Sequence, residues 1–127
     1  MAGIIVYNKN TESHDDQCTD FYIGRGSILG NPYTDKPLDK TLAIYHVNTR
    51  EEAIARYDSY FDMMYKGNKE YREMIDMLYL LYKNGETIYL GCYCKPLPCH
   101  GDIIKKKLEQ RLLKEKIEKI KNTNNKI

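Results

Sequence analysis

Short segments with strand composition alternate with longer amphipathic segments along this chain, and no other sequence feature constrains the fold as strongly. Residues 3–7, 21–23 and 86–91 are rich in β-branched and aromatic side chains and have the length of strands. Other segments, which lie between or after these strands, have apolar side chains three and four residues apart. This spacing predicts helices. Because strands separated by helices favour a parallel sheet, we expect an α/β fold. It would be a small Rossmann-like domain in three layers or two, with a short, mainly parallel sheet and a long C-terminal helix.

Capping residues mark the ends of the helical segments. Thr49-Arg50-Glu51-Glu52 forms a capping box, and Gly67-Asn68 ends the helix that this box opens. A second helix is predicted from about Lys69 to Lys83. The third and longest helix is predicted to begin after Gly101-Asp102.

Length and composition indicate one globular domain. The chain has 127 residues, and we assign residues 1–121 to the domain and residues 122–127 to a polar, frayed tail. Apolar residues make up 42% and charged residues 30%, which excludes a disordered chain. No apolar run approaches the ~18 residues of a membrane span, and the N-terminus lacks the features of a secretory signal. We therefore expect a cytoplasmic protein without a membrane partner.

The charge distribution argues against a nucleic-acid partner. The formal net charge is only +2, which is too small to indicate one. Residues 105–127 nevertheless hold nine basic and three acidic side chains. A solvated helix face explains this excess, and a weak contact with a phosphate backbone is the alternative. The sequence does not determine the oligomeric state.

A cysteine-rich segment between the third strand and the last helix is the first candidate site. Ligands of α/β proteins bind at this end of the strands, where the helix N-terminus favours anions and lowers the pKa of nearby thiols. Cys99 is therefore the candidate nucleophile and His100 the candidate general acid or base. Asp102 is a second candidate acid or base, and it would alternatively cap the helix or bind a ribose hydroxyl.

Zinc and a purely structural role are the alternatives for this segment. Three thiols and one imidazole make a chemically complete zinc set, which would consist of Cys92, Cys94, Cys99 and His100. The spacing is unusual for zinc, and the adjacent residues Cys99 and His100 would be strained around one ion. We therefore expect no cofactor and keep zinc as the alternative. In the structural interpretation, the thiols are buried and His100 is a hydrogen-bonded cap.

A glycine-rich segment, residues 24–32, is the second candidate site. Gly24, Gly26 and Gly30 permit a close backbone approach, so their amides could form an anion nest. Arg25 would add a bidentate fork, and Ser27 a hydroxyl. The spacing fits neither a Walker loop nor a dinucleotide-binding turn. A tight turn in which Arg25 makes a structural salt bridge is the alternative.

Three segments together resemble one known family. They are residues 23–33, the helix opening at residues 50–54, and residues 90–102, which end in Cys-His-Gly-Asp. They resemble the domain of unknown function 4326 family, small proteins frequent in bacteriophages and bacteria, over roughly residues 3–110. Tyr93 stands where the family often has Trp. The resemblance implies a compact Rossmann-like α/β domain of phage origin, hence located in the host cytoplasm, and it implies no particular reaction.

The two candidate sites together predict a single pocket for a nucleotide or a nucleotide-derived anion. Its ligand-binding residues would be Gly24, Arg25, Gly26, Ser27, Gly30, Asn31, Tyr33, Cys92, Lys95 and Gly101. This hypothesis predicts that Arg25→Ala abolishes nucleotide binding with little change in thermal stability. It leaves open whether the ligand is hydrolysed or transferred. The alternatives are a phage protein that sequesters a host signalling nucleotide without catalysis, and a zinc-stabilised interaction module.

Overall fold

The computed structural model describes residues 3–12, 19–38, 43–95 and 97–125 of the chain. Five strands and three helices lie in these residues, and they confirm a mixed α/β fold with a long C-terminal helix. In chain order they are β1 (Ile4–Asn8), β2 (Asp20–Tyr22), β3 (Tyr33–Thr34), β4 (Tyr45–His46), α1 (Arg50–Gly67), α2 (Lys69–Lys83), β5 (Ile88–Cys92) and α3 (His100–Asn125). Cys18 lies outside the described residues.

The central sheet is short and wholly parallel, as the alternation of strands and helices predicts. β5 lies between β1 and β2, with Ile4 opposite Ile88 and Phe21 opposite Leu90. A second, two-stranded parallel sheet pairs β3 with β4. All three strands of the central sheet therefore end at the same edge, where the cysteine-rich segment follows β5 and the glycine-rich segment follows β2.

The helices pack on one face of the central sheet. One core cluster contains side chains from all three helices and from one sheet face, represented by Ile4, Ile88 and Leu90. On the opposite face Ile5 and Tyr22 are 44% and 40% exposed. The described residues thus form two layers, which excludes the three-layer option for this part of the chain.

The helix boundaries follow local capping chemistry. The Thr49 hydroxyl accepts a hydrogen bond from the Glu52 amide, as the capping box predicts. Asn68 serves both neighbouring helices, because its amide donates to Met64 at the end of α1 and its side chain caps α2. α3 begins at His100, slightly earlier than predicted, and includes residues up to Asn125, within the predicted frayed tail. None of the described helices is long and apolar enough to cross a membrane.

A buried hydrogen-bond chain attaches the glycine-rich segment to the helices. The Tyr57 hydroxyl donates to the Leu29 carbonyl oxygen at 2.7 Å and lies 2.7 Å from the Tyr71 hydroxyl. Tyr57 and Tyr71 are both fully buried. Since Leu29 precedes the end of the segment, this chain positions the glycine-rich turn against α1 and α2.

Candidate functional site

The two sequence segments meet at one cavity of about 410 Å³, at the carboxyl ends of β2 and β5. The first turn of α1 and the start of α3 complete its wall. This is the edge where ligands bind in parallel α/β sheets. The side chains and backbone around the cavity belong to Gly24, Arg25, Asn31, Tyr33, Thr34, Asp35, Lys36, Arg50, Ala53, Ile54, Cys92, Tyr93, Cys94, Leu97, Cys99 and His100.

Arg25 holds the wall of the cavity together through backbone carbonyls. Its Nη1 donates to the Asn31 carbonyl oxygen, and its Nη2 donates to that of Tyr33 at 3.2 Å. The Asn31 side chain in turn donates to the Ala53 carbonyl oxygen at 3.0 Å and accepts from the Tyr33 amide. Burial, together with the positive charge of Arg50, lowers the pKa of Arg25. Among the described residues Arg25 clamps the segment through these two carbonyl oxygens, and no salt bridge of Arg25 occurs there.

The glycine-rich turn uses several of its own donors internally, and the expected anion nest stays a prediction. The Ser27 amide and hydroxyl both donate to the Gly24 carbonyl oxygen, at 3.1 and 2.6 Å, and the Gly30 amide donates to Ser27 at 3.1 Å. Gly26 has a φ of 89°, a conformation that favours glycine. Gly26, Ser27 and Gly30 therefore build the turn and lie outside the lining of the cavity.

Gly30→Ala is expected to lower the free energy of unfolding by about 1–3 kcal/mol. A Cβ at Gly30 would lie 2.7 Å from the Gly24 carbonyl oxygen, so backbone atoms would have to move. Gly24→Ala is the matched control, because the three atoms nearest its Cβ belong to the exposed side chain of Tyr22, which can move, and not to the backbone. Urea denaturation of both variants measures the difference. Equal losses of stability would contradict the backbone clash at Gly30.

The three thiols of the cysteine-rich segment form a cluster in which Cys94, and not Cys99, has the environment of a reactive thiol. The Cys92 and Cys99 sulfur atoms lie 3.5 Å apart, and both residues are 1% exposed. Hydrogen bonds from these two thiols and from the Arg50 guanidinium lower the pKa of Cys94. Hydrogen bonds with Cys92 and Cys94, together with burial, raise the pKa of Cys99. Cys99 is also less accessible than Cys94, and its role as the nucleophile stays a prediction.

His100 is held in the interior by its own hydrogen bond. Its Nε2 donates to the Ile23 carbonyl oxygen at 2.6 Å, and its ring packs against that of Tyr57 at 4.9 Å. Only 6% of the residue is exposed, and burial lowers the pKa of the imidazole. The Nε2 atom of His100 is therefore occupied while the residue still lines the cavity, and its role as a general acid or base stays a prediction.

Asp102, Lys95 and Gly101 serve the start of α3 and lie outside the lining of the cavity. One Asp102 carboxylate oxygen accepts from the Cys99 amide at 3.1 Å, and the other pairs with the Lys95 ammonium at 2.6 Å. Gly101 packs so closely that an added Cβ would lie 2.7 Å from Ile23. Its amide donates to the Cys99 sulfur at 3.3 Å. Asp102 thus caps α3, which the sequence also allowed, and its catalytic role stays a prediction.

The comparison with known proteins assigns this architecture to a family. A family model described as a domain of unknown function, DUF4326, matches residues 6–110. The chain belongs to the DUF4326 family. No curated protein and no solved structure matches the chain. The DUF4326 match contains every residue of the cavity and ends within α3.

Arg50 is one residue of this DUF4326 cavity that sequence reasoning missed. Its Nε and Nη2 donate to the Pro98 carbonyl oxygen at 3.2 and 2.9 Å, and its positive charge helps to lower the pKa of Cys94. In the sequence, Arg50 occurs only as the second residue of a capping box. The available signal was its position in the first turn of α1. This turn lies at the same edge of the sheet as the strand ends. Lys36 and Asp35 complete the charged lining.

Metal binding by the DUF4326 cavity stays a prediction. Within the ranges that the structure describes, no group of three or more His, Cys, Asp or Glu side chains is arranged to hold a metal ion. The sulfur atoms of Cys92 and Cys99 are hydrogen-bonded to each other, and the His100 Nε2 is directed at Ile23. The proposed zinc set would therefore have to rearrange in order to coordinate one ion.

Proposed function

We propose that the cavity binds a small anion that is a nucleotide or is derived from one. The observation that carries this proposal is the charge of the lining, which contains the cations Arg25, Lys36 and Arg50 and the single carboxylate Asp35. Placing two guanidinium groups beside one cavity is electrostatically unfavourable until an anion is bound there. A phosphate group matches the donor geometry of arginine.

The size and aromatic content of the cavity favour a nucleotide over a simple inorganic anion. A volume of about 410 Å³ lies in the range of pockets for small organic ligands. Tyr33 and Tyr93 both line the cavity, and Tyr93 is 52% exposed beside the ring of Tyr22. An exposed tyrosine ring offers a flat surface on which a base stacks.

Arg50 is the better candidate for the phosphate contact. Arg25 already uses two N–H groups on the carbonyl oxygens of Asn31 and Tyr33, which restrict its orientation. Arg50 directs Nε and Nη2 at a single acceptor, the Pro98 carbonyl oxygen, so its other N–H groups remain for a ligand. It also lies in the first turn of α1, where the helix dipole favours an anion.

Titration calorimetry with a nucleoside, its monophosphate and its diphosphate tests the proposal. We expect binding to require phosphate and Arg50→Gln to weaken it at least about tenfold, a loss of about 1.4 kcal/mol. Arg56→Gln is the matched control, because Arg56 lies on the same helix, is exposed, and pairs only with Glu52 among its described contacts. Equal affinity for the nucleoside and its phosphates, or unchanged affinity in Arg50→Gln, would refute the proposal.

The fate of the bound molecule separates an enzyme from a sequestering protein. After incubation the protein is denatured and the released nucleotide is analysed by mass spectrometry. Intact nucleotide identifies a binding protein, and altered nucleotide identifies catalysis.

A further inference from the structure

One thiol at the cavity differs from its two neighbours in accessibility. Cys92 and Cys99 are each 1% exposed, whereas Cys94 is partly exposed and lines the cavity. The sulfur atoms of the two buried thiols lie 3.5 Å from each other. A molecule in the cavity would therefore meet the sulfur of Cys94 before either of the others.

The surroundings of Cys94 suit a sulfur that carries negative charge. Arg50 lines the same cavity as Cys94, so the cavity that this sulfur faces carries positive charge. Arg25 also lines the same cavity and interacts electrostatically with Cys94. Thiolates, rather than thiols, are the nucleophilic form of cysteine, and cationic neighbours favour them.

We propose that Cys94 is the nucleophile of this cavity and forms a covalent bond with an anionic substrate held by Arg50. The inference rests on the proposed function, because the same cations recruit the anion. The thiol proton passes to solvent, and the sulfur then attacks an electrophilic carbon of the substrate. A carbon–sulfur bond forms while the bond from that carbon to its leaving group breaks, and the leaving group departs with the electron pair. The substrate class is a small anion that carries such a carbon.

Alkylation with two probes of nearly equal size tests this inference in the full chain. Iodoacetate is anionic and iodoacetamide is neutral, and both form a carbon–sulfur bond with release of iodide. Limited alkylation is followed by mass spectrometry of the peptide that contains residues 84–105, whose fragments distinguish the three cysteines. We expect Cys94 to react at least about tenfold faster than Cys92 and Cys99 with either probe.

The charge of the probe reports on the cations of the cavity. Arg50→Gln is expected to slow the reaction of Cys94 with iodoacetate about tenfold relative to the reaction with iodoacetamide. Lys36→Gln, which removes an exposed cation of the lining, should act in the same direction, and Arg56→Gln should change neither rate. Far-ultraviolet circular dichroism identifies any variant that has unfolded, and Lys36→Gln supplies the test if Arg50→Gln does not fold.

Two results would overturn the inference: preferential alkylation of Cys92 or Cys99, or equal effects of the cavity variants on both probes. Nucleotide titration of Cys94→Ser separates this failure from failure of the proposed function. Retained nucleotide binding by a protein whose Cys94 is unreactive overturns the covalent step alone. If the wild-type protein binds no nucleotide, the proposed function fails, and the alkylation rates then decide whether Cys94 is still the reactive thiol.

Discussion

Tyr57→Phe is expected to lower the free energy of unfolding by about 2–4 kcal/mol, the largest effect of any single-atom deletion we predict. The lost hydroxyl donates to the Leu29 carbonyl oxygen and pairs with the Tyr71 hydroxyl, each at 2.7 Å. Both groups would remain buried without this partner, and each such group costs about 1–3 kcal/mol. The substitution would also release the glycine-rich segment from α1, because Leu29 belongs to that segment.

Tyr60→Phe is the matched control, since Tyr60 lies one turn further along α1 and its ring contacts are the same in phenylalanine. Its ring packs against those of Tyr33, Tyr57 and Tyr71. We expect its stability to change by less than about 1 kcal/mol. Urea denaturation with matching m-values measures both variants. Equal losses of stability in Tyr57→Phe and Tyr60→Phe would show that the buried hydrogen-bond chain does not stabilise the fold.

Arg25→Ala is expected to impair both stability and ligand binding. The variant loses donors to the Asn31 and Tyr33 carbonyl oxygens, and hydrogen bonds from a charged donor contribute about 1.5–3 kcal/mol each. Arg25 is only half-buried, so water can replace part of these hydrogen bonds. We therefore expect the free energy of unfolding to fall by about 2–3 kcal/mol in total. We also expect about a hundredfold loss of nucleotide affinity, as one wall of the cavity loses its cation and its clamp. The sequence-based expectation of nearly unchanged thermal stability is thereby revised.

Arg25→Lys separates the two roles. Lysine keeps the positive charge but cannot place two N–H groups on two carbonyl oxygens in the same plane. We expect it to lose most of the stability that Arg25→Ala loses, while it retains more nucleotide affinity. Thermal unfolding with and without nucleotide, together with calorimetry, measures both effects. Full stability in Arg25→Ala would show that the clamp contributes nothing to the fold.

The helices and the central strands could be predicted because their signals are local. The Thr49 capping box, the Asn68 junction and the end of α2 at Lys83 each depend on residues within one turn of one another. The meeting of the two candidate segments followed from topology, since parallel strands end at one edge. The start of α3 was predicted slightly too late. The Cys99 amide donates to the Asp102 carboxylate and the Cys99 sulfur accepts from the Gly101 amide, and a cysteine in this capping position is not a common helix signal.

The amino-acid sequence by itself determined the order of the central strands and the helices, the common edge at which the two motifs meet, and the residue types available there, but not the short strands β3 and β4. Only the tertiary structure decided which of those residues face the cavity, because their hydrogen-bond partners are distant in the chain. His100 pairs with Ile23, 77 positions away, and Tyr57 with Leu29, 28 positions away. A buried polar group must find such a partner, and that requirement, rather than residue type, directed the His100 Nε2 at the Ile23 carbonyl oxygen.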